Sequence, residues 1–112
     1  MAKSAALVML LLANAARGGH PLELADDLNV KAEKRAEYFC DHAMKHDGWE
    51  AYFDATPYTV MGENLAKGYA DAGVAHAALM QSAPHRANIL NPEYKKLGVG
   101  QACGVIVQFF GG

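Results

Sequence analysis

Long runs of one charge are missing from this chain. Its 112 residues carry ten Lys and Arg against twelve Asp and Glu, for a formal net charge of -2, and charged residues make up 20%. No basic stretch is dense enough to neutralise a phosphate backbone or to hold an anionic membrane surface, which excludes nucleic acid as an expected partner. Cysteine is scarce as well. Cys40 and Cys103 are too few for a disulfide framework and lack the C-x-x-C spacing of zinc or redox sites. The pair reads as two buried thiols; the alternative is one long-range bridge, which would imply an oxidising setting. Missing too are internal repeats, low-complexity tracts and any apolar run long enough to cross a bilayer, so no transmembrane segment is expected.

What the chain does have is 52% hydrophobic residues, enough for a core in one domain spanning 1–112, with no room for a second. The N-terminus invites two readings. Lys3 followed by AALVMLLLANAA imitates a secretory signal, with small residues at Ala13 and Ala15. The same residues also make a first buried helix that ends at Gly18-Gly19, with Asn14 and Arg17 near its end. The helix is the preferred reading, because removal at Ala15 would strip it from an already small domain.

The segment HPLEL then reads as an extended linker, and Asp26 and Asp27 supply an N-cap and favourable charge for the next helix. Apolar positions from Leu28 through Ala32, Ala36, Phe39, Cys40 and Ala43 recur every three or four residues, which predicts a helix ending near His46-Asp47-Gly48. Lys31, Lys34 and Arg35 alternate with Glu33 and Glu37 and read as its solvated face. Trp49 to Pro57 has no clear period and reads as a loop or short helix. Tyr58 to Met61 predicts a short strand, and Glu63 to Ala66 a helical turn closed by Gly68. Asp71 caps a helix with Val74, Ala77, Ala78 and Met80 on one side, which Pro84 ends or redirects. LGVG from Leu97 and VIVQFF from Val105 predict two strands joined around Cys103-Gly104. This order favours an α+β layered fold over a doubly wound sheet.

Groups able to move protons or bind ions concentrate at element ends. His46 and His85 both stand there, whereas His20, His42 and His76 read as surface or packing residues. Glu63, between Gly62 and Asn64, either caps the following turn or faces a site. His46, Glu63 and His85 together form a set that could hold a divalent metal such as Zn2+ through two imidazoles and a carboxylate. A second set replaces metal by a nucleophile, with Ser82 attacking, His85 as base and Glu63 orienting it. In a purely structural alternative, His85 and Glu63 hydrogen-bond each other and join sheet to helix.

Four stretches in order, LLLANAARGGHPLELADDLNVKAEKRAEYF, MKHDGW, MGENLAKGY and SAPHRANILNPEYKKLGVG with the closing VIVQFFG, resemble the SCP/CAP superfamily in its short bacterial form. The resemblance implies an α-β-α sandwich with a small antiparallel sheet between helical layers and a cleft over the sheet. Within it His85 corresponds to the histidine of the G-H or H-R motif, Glu63 to the acid of G-E-N, and His46 to the earlier S-H histidine, with His42 a rival for that role. Asn14 and Arg17 correspond to the N-x-x-R end of the first helix. Two departures stand out: Ser82 lies near the place of a second acid, and Leu79 stands where many members have tryptophan.

The expected function is a non-enzymatic binding module whose His-Glu-His cleft holds a metal ion or takes a small-molecule, lipid or protein ligand. The resemblance favours an extracellular or particle-associated setting. The alternative is a metal-assisted or Ser-His-Glu hydrolase acting on peptide, ester or cell-wall bonds.

Overall fold

Ser4 starts the first helix by accepting a hydrogen bond from the Leu7 amide at 3.2 Å. The computed structural model describes residues 4–112, and in it the segment that imitates a secretory signal forms helix α1, Ala5–Arg17, which buries Met9, Ala13 and Arg17. Asn14 and Arg17 fasten the end of that helix to the rest of the chain. Asn14 exchanges two hydrogen bonds with the backbone of Leu22, at 3.0 and 2.7 Å. The buried guanidinium of Arg17 donates to the carbonyls of His20, Ile89, Asn91 and Tyr94, so one side chain satisfies the carbonyls that end a later helix.

Strand β1, Glu23–Leu24, leads into α2, Asp26–Tyr38. A 3-10 helix, Trp49–Phe53, precedes β2, Met61–Lys67, which is followed by α3, Ala72–Met80, and α4, Ala83–Leu90. Strands β3, Lys96–Ala102, and β4, Val105–Gly111, close the chain. The sheet order is β1-β3-β4-β2. All pairs are antiparallel except β1 with β3.

Both faces of the sheet are covered, which makes three layers. Ile106 and Phe110 of β4 pack with α1, α3 and α4, while Val105, Val107 and Phe109 pack with Leu28, Ala32, Ala36 and Phe39 at the α2 side. All of β4 is buried, which accounts for the unbroken apolar run VIVQFF. Helix α2 lies directly on β3: a Cβ at Gly98 or Gly100 would collide with its backbone at Leu28 or Ala32. The expected α+β class, with a sheet between helical layers, is the observed one.

Several local expectations differ. Glu63 to Ala66 is the middle of strand β2, not a helical turn; pairing with β4 decides its conformation. Helix α2 ends at Tyr38, and its N-cap is Ala25, with Asp26 and Asp27 inside the first turn, where they still favour the dipole. In α3 the buried positions are Ala72, Ala75, His76 and Leu79, while Val74 is exposed. Asp71 caps that helix as expected, accepting from the Val74 amide at 2.8 Å. Pro84 falls in the first turn of α4, where its missing N–H costs nothing. The cysteines are bonded to each other rather than free, Cys40 to Cys103. Both are exposed, and the bridge ties the chain just after α2 to the β3–β4 turn.

Candidate functional site

The middle of the site is set by strand alternation. Along β2, Glu63 and Leu65 face the α2 layer, while Asn64 and Ala66 face the α3–α4 layer. The G-E-N segment therefore sends its acid and its amide to opposite sides.

On the α2 side, the Glu63 carboxylate is held by Arg35. Nε donates to Oε2 at 2.8 Å and Nη2 lies 3.4 Å from Oε1, with the two side chains 3% and 0% exposed. The same Nη2 reaches the carbonyls of Lys45, His46 and Asp47 at 3.0 to 3.2 Å. Arg35 also lies over the Phe39 ring, 4.6 Å from its centroid. One arginine thus anchors both the acid and the loop that carries His46. The His46 Nδ1 meets Glu63 Oε1 at 3.0 Å. Since the carboxylate can only accept, Nδ1 carries the proton, and in the neutral imidazole the free lone pair is on Nε2.

Arg35 was expected on the solvated face and is instead buried. The sequence did hold the signal, because Arg35 falls on the Leu28-Ala32-Ala36-Phe39 stripe, three residues after Ala32 and four before Phe39.

On the other side, Asn64 Nδ2 donates to the His85 carbonyl at 3.1 Å and to Gln108 Oε1 at 3.0 Å, and its Oδ1 accepts from Asn88 at 2.9 Å. Asn88 also donates to the Glu63 carbonyl. These amides seat the first turn of α4 against β2 and place His85 at the cleft. At Gly62 a Cβ would run into the Tyr94 hydroxyl, so a larger residue there would have to displace that side chain. Burial, with a smaller contribution from the charge of His46, holds the His85 imidazole below its ordinary pKa. His85 is therefore neutral at pH 7.

The expected residues come together unequally. His46 and Glu63 are bonded, and His85 lies near enough to sense the His46 charge. Among the described residues, no hydrogen bond joins Glu63 to His85, or Ser82 to His85. His42 stacks on Tyr38 at 3.8 Å and is exposed, away from Glu63. Ser82 and His85 share a groove of about 250 Å3 with Met44, Leu65, Lys67, Tyr69 and Leu79. A wider depression of about 440 Å3, over Val30, Glu33 and Glu37 of α2, holds no imidazole.

The model of the CAP family, described as the cysteine-rich secretory protein family, matches residues 14–105. The chain belongs to this family. The uncharacterised protein YkwD of Bacillus subtilis strain 168 is 35% identical over 103 residues, covering 80% of this chain and 39% of that protein. An extracellular SCP-domain protein from Bacillus anthracis str. Ames superposes with a TM-score of 0.89 at 23% identity, over 96% of this chain and 40% of that one. An outer surface protein of Borrelia burgdorferi gives a TM-score of 0.76 at 19% identity, over 94% and 86%. The CAP chain thus spans about two-fifths of the length of the two Bacillus relatives.

The donors in this CAP cleft do not suit a three-ligand metal centre. Both Glu63 oxygens are engaged by Arg35 and His46, and no group of three or more ligating side chains is assembled among the described residues. What they do form is an imidazole, His46, oriented by Glu63, and a second, His85, lining the groove.

Proposed function

We propose that this CAP domain is a binding module whose ligand is taken at His46 and His85, with Glu63 acting as a positioning residue. The observation that carries this reading is the 3.0 Å bond between His46 Nδ1 and Glu63 Oε1, itself held by the buried Arg35. It fixes the tautomer and direction of a half-exposed imidazole, which packing alone has no need to do. The neutral His85 beside it supplies a second nitrogen lone pair.

A divalent ion of zinc type is the ligand this donor pair favours, and when bound it would supply a positive anchor for a polar or anionic group in the groove. The apolar lining, from Met44, Leu65 and Leu79, suits a lipid or protein ligand against that anchor. The Cys40–Cys103 bridge suits an oxidising compartment, and with the extracellular Bacillus anthracis relative it supports a place outside the cytoplasm. The Ser-His-Glu form of the hydrolase alternative draws no support from the geometry, since Glu63 is paired with His46 and among the described residues Ser82 has no hydrogen bond to a base.

Calorimetric titration of metal-free protein with zinc tests the reading, comparing the native chain with a His46→Ala, His85→Ala variant. Saturable binding that disappears in the variant is expected. Equal binding in both would overturn it.

A further inference from the structure

The four-stranded sheet has two edges, and some of their outward backbone groups are covered from within the chain. On the β3 edge, β1 pairs with Lys96 and Leu97. Beyond it, side chains from α2 take over: Asn29 Oδ1 accepts from the Val99 amide at 2.9 Å, and Glu33 Oε2 accepts from the Gln101 amide at 3.1 Å. On the β2 edge, the Tyr94 hydroxyl donates to the Met61 carbonyl and Asn88 Nδ2 to the Glu63 carbonyl.

On β2 this cover reaches only the Met61 and Glu63 carbonyls, and from Leu65 onward no outward carbonyl is covered either among the described residues. Val60 and Gly112 exchange both backbone bonds, and the Gly68 amide donates to the Gly104 carbonyl. Even-numbered residues of β2 therefore face β4 and odd-numbered ones face outward. Leu65 and Lys67 thus turn N–H and C=O away from the sheet, and among the described residues neither has a backbone or side-chain partner for them. Uncovered edge groups template pairing with another chain, and natural proteins ordinarily blunt them.

The unpaired stretch, in which Leu65 is 6% exposed and Lys67 is exposed, also lines the 250 Å3 groove, together with Met44 in the loop after α2 and Leu79, Ser82 and His85 at the α3–α4 junction. Met44 and Tyr69 are 36% and 43% exposed at its rim. Lys67 and His85 line it, and no carboxylate does. At about 3.4 Å per residue, two or three residues of an added strand would cover Leu65 to Lys67.

We propose that an extended peptide bearing an acidic side chain docks here as a fifth strand, pairing its backbone with Leu65 and Lys67. The backbone of the peptide meets the free groups of the edge, the apolar lining receives alternate side chains, and Lys67 selects the acid. This site deepens the binding reading and shares His85 and the apolar lining with it, but its pairing groups are the backbone of Leu65 and Lys67, so peptide binding and zinc binding can fail separately.

The test uses the metal-free 112-residue protein with EDTA and two pools of N-acetylated, C-amidated hexapeptides, one with glutamate and one with lysine fixed at the third position. Amide hydrogen exchange is read at Leu65 and Lys67. The glutamate pool is expected to slow both amides while the lysine pool does not, and Lys67→Glu is expected to reverse the preference. Members of the pool that bind are then N-methylated along one edge at a time. Methylation of the edge facing β2 should weaken binding roughly tenfold, as loss of one or two backbone hydrogen bonds would, and methylation of the opposite edge should not. No protection by either pool, equal protection by both, or equal weakening from the two methylated edges would overturn the proposal. The double histidine variant is run alongside, so that loss of zinc binding and loss of peptide binding are read separately.

Discussion

Arg35 Nε donates to Glu63 Oε2 at 2.8 Å in a buried pair that joins the helix on one face of the sheet to its edge strand. Desolvating two charges is costly, and the pair holds because Arg35 also satisfies three loop carbonyls. The consequences for the two partners differ. Arg35→Met leaves a buried carboxylate without its cation and is expected to cost about 3 to 5 kcal/mol. Glu63→Gln leaves Arg35 its carbonyl partners and should cost only about 1 to 3 kcal/mol. Urea denaturation of both variants measures the difference, and equal losses would contradict the asymmetry.

His85 should titrate below the ordinary histidine range, for burial first and the His46 charge second. His46→Ala removes only the second cause, so the His85 pKa should rise part of the way back. Proton NMR of the imidazoles across pH 4 to 8 would show this; a full return to the ordinary value would mean that burial contributes nothing.

His76 is depressed by burial alone, and its Nδ1 is buried without a partner among the described residues. Both His76 and His85 are easier to protonate in the unfolded chain, so that state takes up more protons as pH falls. Stability from these groups is therefore fully present above their unfolded value, about 6.5, and is lost as pH drops through the lower folded values. Melting temperature should fall from pH 7 to pH 5, and His76→Leu should reduce that fall. An unchanged pH slope in the variant would remove His76 as a cause.

The Cys40–Cys103 bridge closes a separation of 63 residues. Because both cysteines are exposed, a mild reductant should open it without denaturant. Chain entropy assigns the bridge about 4 kcal/mol, so the Cys40→Ala, Cys103→Ala variant should melt well below the oxidised protein. Reduced and variant proteins should melt together, and calorimetry with and without reductant checks this.

Gly98→Ala and Gly100→Ala should each destabilise by at least about 1 to 3 kcal/mol, because the added methyl meets α2 backbone that cannot rotate away. Gly19→Ala, which meets nothing, serves as the control. Similar melting of all three would place the α2–β3 approach in error.

The candidate site was partly legible because family motifs and element ends drew attention to Glu63, His46 and His85. The role of Arg35 is masked in the sequence by the surrounding Lys and Glu residues, although its position on the apolar stripe marks it as inward-facing. Asn64 and Asn88 carried no periodic signal at all; their roles exist only once β2 and α4 lie side by side.

By itself the sequence determined the first helix ending before Gly18-Gly19, the α2 stripe, the Asp71 cap, the strand pair at the end of the chain and the layered α+β class, since each rests on local composition, periodicity or a capping side chain. Tertiary structure alone decided that Glu63 to Ala66 is a strand, that the two cysteines meet, and that Glu63 answers to Arg35 and His46 rather than His85. Those outcomes depend on contacts between residues far apart in the chain, where pairing with β4 and burial against α2 outweigh what neighbouring residues favour.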